Sequence, residues 1–202
     1  MGTEGVCRAG DSLMDMTPAP ARAGARRFVP TWWRKAVAVL AVLMVVFAAA
    51  TARILIWPAQ GAPPSAGAIV MLAGPGDRLP VALALARAHR APVLVVSRGW
   101  MGYGGPCPPP VQGVRTICFE PNPGDTRGEA EYIGQLARRS GWRTLILVAT
   151  RPQAVRAQLL FGRCFSGTTS VIAASLPWYD WPYQIAYGWG ALLKAVFVVR
   201  GC

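Results

Sequence analysis

Apolar and polar positions alternate in blocks along the chain, and the polar residues fall at fixed places in that pattern. Three short apolar runs, residues 68–73, 92–97 and 144–150, have the length and continuity of strands buried on both faces. Each ends on Gly, Arg or Asp: Gly74-Pro75-Gly76-Asp77-Arg78, Ser97-Arg98-Gly99, and Thr150-Arg151-Pro152-Gln153. Helical spacing follows. Residues 79–90 place Leu79, Leu83 and Ala86 on one face, 126–140 read as a helix stopped by Gly141, and 153–165 as another. Residues 169–173 give a fourth strand and the aromatic stretch 181–199 a final helix. Residues 98–125, dense in Gly and Pro, are predicted as one long loop.

Strands alternating with helices predict an α/β fold, a Rossmann-like three-layer sandwich with a mainly parallel sheet. In an open parallel sheet the carboxyl ends of the strands share one edge, and ligands bind there. The polar residues that close each strand therefore point to one Arg-rich site on an otherwise apolar domain.

A second pattern precedes the domain. Residues 36–52 carry no charge, and 54–57 extend the run past Arg53. That is enough for a helix to span a bilayer, which takes about 20 apolar residues. Arg22, Arg26, Arg27, Arg34 and Lys35 come before it, and Trp32, Trp33 and Trp57 bracket it. Basic residues on the N-terminal side predict a cytoplasmic N-terminus, and Trp suits both interfaces. The expected organisation is a disordered cytoplasmic leader (1–31), one transmembrane anchor (32–57), a Pro-rich linker (58–67) and an extracytoplasmic domain (68–202) on a single-pass plasma-membrane protein. Ala50-Thr51-Ala52 resembles a signal-peptide cleavage site. The apolar run is long for such a peptide, and the polar leader is too, so an anchor is preferred.

The formal charge of +12 comes from 21 Lys and Arg against 9 Asp and Glu in 202 residues. The Arg residues are scattered and form no basic stripe, so no nucleic-acid partner is expected. Arg, Ala, Gly and Pro are abundant together, which a composition bias explains. Cys7 precedes the anchor, and Cys107, Cys118, Cys164 and Cys202 follow it, an even number that suits an oxidising compartment. Four cysteines allow three pairings, among which the sequence does not choose. The preferred pairs are Cys107–Cys118, closing a Pro-rich loop, and Cys164–Cys202, tying the tail to a helix end. Cys-x-x-Cys is absent and His89 is the only histidine, so no metal site is expected. Without a usable His, and without Gly-x-Ser-x-Gly, serine-hydrolase chemistry is disfavoured.

The candidate site has three parts. Gly74 and Gly76 let the backbone approach a ligand, and Arg78 could grip phosphate or carboxylate; the alternative is a tight turn with Asp77 capping a helix. Thr126-x-x-Glu129 is a capping box, which accounts for both residues without function. Thr150, Arg151, Gln153 and Arg156 follow a buried strand, with Gln153 and Arg156 on one helix face. Arg78, Arg151 and Arg156 are expected to converge on an anion, with Ser97 and Thr126 at the rim. Asp77, Asp125 and Glu129 are the candidates for proton transfer if the site is catalytic. No cofactor is indicated beyond an unidentified small molecule. The aromatics from Trp178 to Val199 read either as packing under the sheet or as a surface leaning on the membrane. A second span is disfavoured, since Gly188, Gly190 and Lys194 interrupt a short run.

The order of these motifs resembles the YdcF/SanA/ElyC family of bacterial envelope domains, whose function is largely unknown. The residues that carry the resemblance are the apolar strand 68–73 with Gly74–Arg78, Val93–Gly99, Glu120, Thr126 with Glu129, and Gln153–Ala157. They lie between Ala68 and Ala174, and Trp189-Gly190-x-Leu192-x-Lys194 looks like the C-terminal stretch of actinobacterial members. The resemblance implies a Rossmann-like domain anchored in the inner membrane and linked to cell-wall or surface-polymer biogenesis. An anionic metabolite such as a polyprenyl phosphate or a sugar-nucleotide-like intermediate would suit the Arg-lined edge near the membrane. Gln153 stands where the family carries His, and Gln hydrogen-bonds but shuttles no proton at neutral pH. A non-catalytic envelope factor with a vestigial pocket, or a binder of a nucleoside or S-adenosylmethionine-type molecule, are the alternatives.

Overall fold

A computed structural model of the chain describes residues 31–61, 63–99 and 106–202. The predicted leader, Cys7 and the middle of the predicted loop lie outside the described residues. Helix α1, Thr31–Thr51, continues through one π-helical turn, Ala52–Ile56. The 26 residues hold an 18-residue window of mean hydropathy 2.5, and the helix is long and apolar enough to cross a membrane. The chain divides into two compact units, Met1–Ala41 and Val42–Cys202.

The second unit holds a five-stranded, all-parallel sheet. Its strands are β1 (Ala68–Met71), β2 (Val93–Ser97), β3 (Arg115–Phe119), β4 (Thr144–Thr150) and β5 (Thr168–Ala174), in the order β3-β2-β1-β4-β5. Helices α2 (Arg78–Arg87), α3 (Thr126–Ser140), α4 (Arg151–Cys164) and α5 (Trp181–Phe197) complete it. The pleat sorts the side chains by parity. Ile69 and Met71 pack with Leu94, Val96, Ile146 and Val148 under Ala82 and Ala86 of α2. Ala68, Val70 and Leu72 pack with Val95, Leu145 and Leu147 under Ile133 of α3 and Phe161 of α4. Both faces of the central strands are therefore covered, which gives three layers.

The chain runs outward from β1 to β3, then returns across the sheet to β4 on the other side of β1. The order reverses between β1 and β4. A crevice opens at the carboxyl ends of the strands at such a reversal.

Three elements differ from the sequence reading. β3 lies inside the segment predicted as loop: it is an edge strand in which Arg115 is exposed and residues 116–118 are half-buried, so it lacks the continuous apolar run of its neighbours. Helix α2 stops at Arg87, three residues early, and the chain turns at His89 with φ 49°. Helix α4 starts at Arg151, two residues early, because Pro152 suits a first turn whose N–H has no intrahelical partner.

The structure contains both preferred disulfides, Cys107–Cys118 with Cα atoms 6.0 Å apart and Cys164–Cys202 with Cα atoms 5.0 Å apart. Only Cys7 of the five cysteines should then alkylate before reduction, and all five after it. Mass spectrometry of exported, alkylated protein reads this directly, and five labels without reductant would contradict it.

Candidate functional site

The segment between β1 and α2 is shaped by two glycines and one arginine. Gly74 has φ 132° and Gly76 φ 95°, conformations that favour glycine. A Cβ at Gly74 would sit 2.5 Å from Arg78 Nη2, and one at Gly76 2.5 Å from Ser175 O. Arg78 folds back under this turn and is buried. Its Nε donates to Pro75 O at 3.0 Å, Nη1 to Leu72 O at 3.0 Å and to Ala73 O, and Nη2 to Thr150 Oγ1 at 3.2 Å. Burial pulls its pKa down to about 10, with Glu129 opposing and Arg156 adding to the fall. Arg78 is a charged strut that ties the turn to the end of β4.

Glu129, one turn into α3, is only 1% exposed. Its Oε1 accepts from Ala73 N at 2.6 Å. Burial pushes its pKa up to about 7, against the Ala73 N–H, Ser97, Arg78 and Arg156, which favour the charged form. Ser97 Oγ faces this region from the end of β2, buried and without a well-formed hydrogen bond. The capping box expected from Thr126 and Glu129 does not form. The helix is capped by Asp125, whose Oδ1 accepts from Arg127 N at 2.9 Å and Gly128 N at 3.2 Å. Glu129 is drawn away from the helix end because the Ala73 N–H, at the open end of a strand, is the stronger claim on it. Thr126 Oγ1 instead accepts from Gln153 Nε2 at 3.0 Å.

These residues form one side of a cavity of about 440 Å³. Ala73, Gly74, Pro75 and Arg78 line it from the β1 turn, Gly124–Arg127 and Glu129 from α3, and Gln153, Arg156 and Leu160 from α4. The remaining wall is the C-terminal region: Tyr183, Gln184, Tyr187, Ala191, Lys194, Ala195 and Val199. Arg156 lies 5.3 Å from the centre of the Tyr187 ring. Its Nε and Gln153 Oε1 are both buried without a hydrogen-bond partner. Among the described residues the ion pairs are Arg98–Glu120 and Arg127–Glu131, so neither Arg156 nor Lys194 has an acidic partner. No group of three His, Cys, Asp or Glu that could hold a metal occurs among the described residues.

Of the residues singled out from the sequence, Gly74, Arg78, Asp125, Thr126, Glu129, Gln153 and Arg156 border the cavity. Gly76, Asp77, Ser97, Thr150 and Arg151 do not. Asp77 is exposed and accepts from Ser175 Oγ at 3.0 Å, and makes no side-chain cap to α2. Thr150 is buried as the partner of Arg78. The expected convergence of three Arg residues reduces to Arg78 and Arg156. Arg151 lies two residues before Gln153, about 200° away around the helix, and so points elsewhere. The α5 wall went unread in the sequence. Its signal is the spacing of Gln184, Tyr187, Ala191, Lys194 and Ala195 at three or four residues.

Glu129 makes stability pH-dependent with a definite sign. Its folded pKa is raised from 4.5 to about 7, so the folded state holds the proton more tightly than the unfolded one. Stability should be highest below pH 4.5, fall as pH rises to about 7, and level off above that. The fall should be on the order of 1–3 kcal/mol. Glu129→Gln keeps an acceptor for Ala73 N and should flatten the profile. Urea unfolding midpoints at pH 5 and 8 test this; an unchanged slope in the variant would assign it to another group.

Comparison of the chain with protein-family models, curated proteins and solved structures gives no match.

Proposed function

We propose that the chain is a membrane-anchored, extracytoplasmic domain of the YdcF/SanA/ElyC type whose cavity binds an anionic, partly apolar intermediate of the cell envelope, such as a polyprenyl phosphate. The observation that carries this reading is the division of the cavity wall. Arg156 and Lys194 bring positive charge and form no ion pair among the described residues, although Arg156 acts on the buried Glu129, and Gln153 Oε1 and Arg156 Nε stand unpaired. Leu160, Tyr183, Tyr187, Ala191, Ala195 and Val199 supply an apolar wall. A charged head with an apolar tail fits both. Two disulfides and basic residues ahead of α1 support an oxidising compartment.

Binding without turnover is the favoured form of this reading. Gln153 holds Thr126 and shuttles no proton, and the Glu129 carboxylate is committed to Ala73 N. A pKa of about 7 favours a second reading, acid–base chemistry at Glu129.

Native mass spectrometry of the full chain in mild detergent tests the proposal with farnesyl phosphate, farnesol and inorganic phosphate as probes. Farnesyl phosphate should bind best. Arg156→Ala should weaken it about tenfold or more, since a hydrogen bond to a charged group is worth about 1.5–3 kcal/mol. Equal affinity for farnesol, or an unchanged affinity in the variant, would sink the reading. A reporter active only in the cytoplasm, fused after Cys202, should be silent.

A further inference from the structure

The outer face of α5 is apolar and has no partner among the described residues. Leu193, Val196, Phe197 and Val198 are all exposed. Trp178 and Tyr179, in the short turn before the helix, are exposed as well, at 83% and 65%. Gln184, Gly188 and Ala195 form the opposite, buried face. The helix contains no Asp or Glu, and its one charge is Lys194. A contiguous apolar surface of this kind marks an interaction site.

The position of α5 says what covers it. Counted from Ala36, the first residue after Arg34 and Lys35, the roughly 20 residues needed to cross the hydrocarbon end at Leu55. Three residues inside that run touch α5. Phe47 stacks on Trp189 with ring centres 5.5 Å apart. Thr51 Oγ1 accepts from Trp189 Nε1 at 3.1 Å. Leu55 is buried and lies against Gly188, where a Cβ would sit 3.3 Å from its Cδ2. The middle of α5 therefore meets the spanning helix within the length that lipid must surround. In that setting the indole N–H needs a protein partner, and Thr51 supplies it.

We infer that the outer face of α5, with the turn before it, lies in the leaflet of the bilayer that the C-terminal half of α1 crosses. The chemistry on the face agrees. Trp178 and Tyr179 at one end and Leu193, Val196 and Phe197 at the other give a surface suited to lipid. The contacts with Phe47, Thr51 and Leu55 hold the face at a depth where acyl chains, and not a second copy of the chain, surround α1. Phospholipid is the occupant. The inference does not depend on what the cavity holds.

The test uses the full chain in liposomes of phosphatidylcholine and phosphatidylglycerol, with p-benzoylphenylalanine replacing Phe197 or, separately, Leu193. Neither residue lines the cavity, and both are exposed enough to accept the probe. The same probe at Val42 in α1 is the positive control, and at Arg87 on the opposite face of the sheet the negative one. After irradiation, Phe197 and Leu193 should give lipid adducts in yields like those at Val42, with none at Arg87. Arg156→Ala should leave those yields unchanged, which separates this surface from the cavity reading. Adducts at Val42 alone, or chain-to-chain crosslinks from both α5 positions in place of lipid adducts, would overturn the inference.

Discussion

Arg78→Met should cost about 3–5 kcal/mol of stability, the range for breaking a buried charge cluster by removing one partner. Met fills much of the arginine stem's volume, so the loss isolates the guanidinium. Four acceptors are orphaned at once: Pro75 O, Leu72 O, Ala73 O and Thr150 Oγ1. Glu129 also loses a cation that favours its charged form, and its pKa should climb further. The turn between β1 and α2, which no longer has a strut, should loosen the wall of the cavity. Arg78→Lys should fare only slightly better, because an ammonium cannot reach acceptors arranged for a planar fork. Glu129→Gln should recover part of the loss in the Arg78→Met background, since a neutral side chain no longer needs the cation. Denaturant midpoints of the four proteins at pH 7 form the cycle. A loss below about 1 kcal/mol for Arg78→Met would mean that the guanidinium is dispensable to the fold, and its anion-binding role would return.

That outcome bears on how the site can be read from sequence. Glycine turn, arginine and strand end are all visible in residues 68–78, and they do assemble at the crevice between β1 and β4. The direction of the arginine is not visible. Whether Arg78 faces outward to a ligand or inward to three carbonyls depends on where Leu72 and Ala73 leave the strand, a matter of a residue or two. The same holds for Glu129. Local spacing matches a capping box, and the box loses to a backbone N–H from a segment 56 residues away. Continuous apolar strands were legible because burial on both faces removes polar positions; β3 was not, because an edge strand keeps them. Arg156 needed only its spacing from Gln153. The spacing of Tyr187 and Lys194 puts them on one helix face, but that this face covers the cavity depends on the path of the C-terminal helix, which the spacing does not encode.

Gly128→Ala and Gly162→Ala should shift stability in opposite directions, although both replace a helical glycine with the best helix former. At Gly162, in α4, an added Cβ meets nothing within 4 Å. The substitution should gain up to about 1 kcal/mol from helix propensity. At Gly128, in the first turn of α3, the Cβ would lie 1.9 Å from Pro123 O and 2.8 Å from Pro123 N. Those are backbone atoms, so no side chain can swing aside to make room. Pro123 O also accepts from Asp125 N at 2.8 Å, so displacing it disturbs the residue that caps the helix. Overpacking costs about 1–3 kcal/mol, and loss of the cap about 1 more, against a propensity gain of about 1. The net should be a loss of about 1–3 kcal/mol. It should also reach the cavity, because Asp125 and Thr126 line it and Thr126 orients Gln153. Farnesyl phosphate binding should therefore fall in Gly128→Ala under conditions where the variant is still folded, and stay unchanged in Gly162→Ala. Equal stability of the two variants would mean that the 122–125 segment yields freely, and that the close fit of α3 against it does not set the shape of the site.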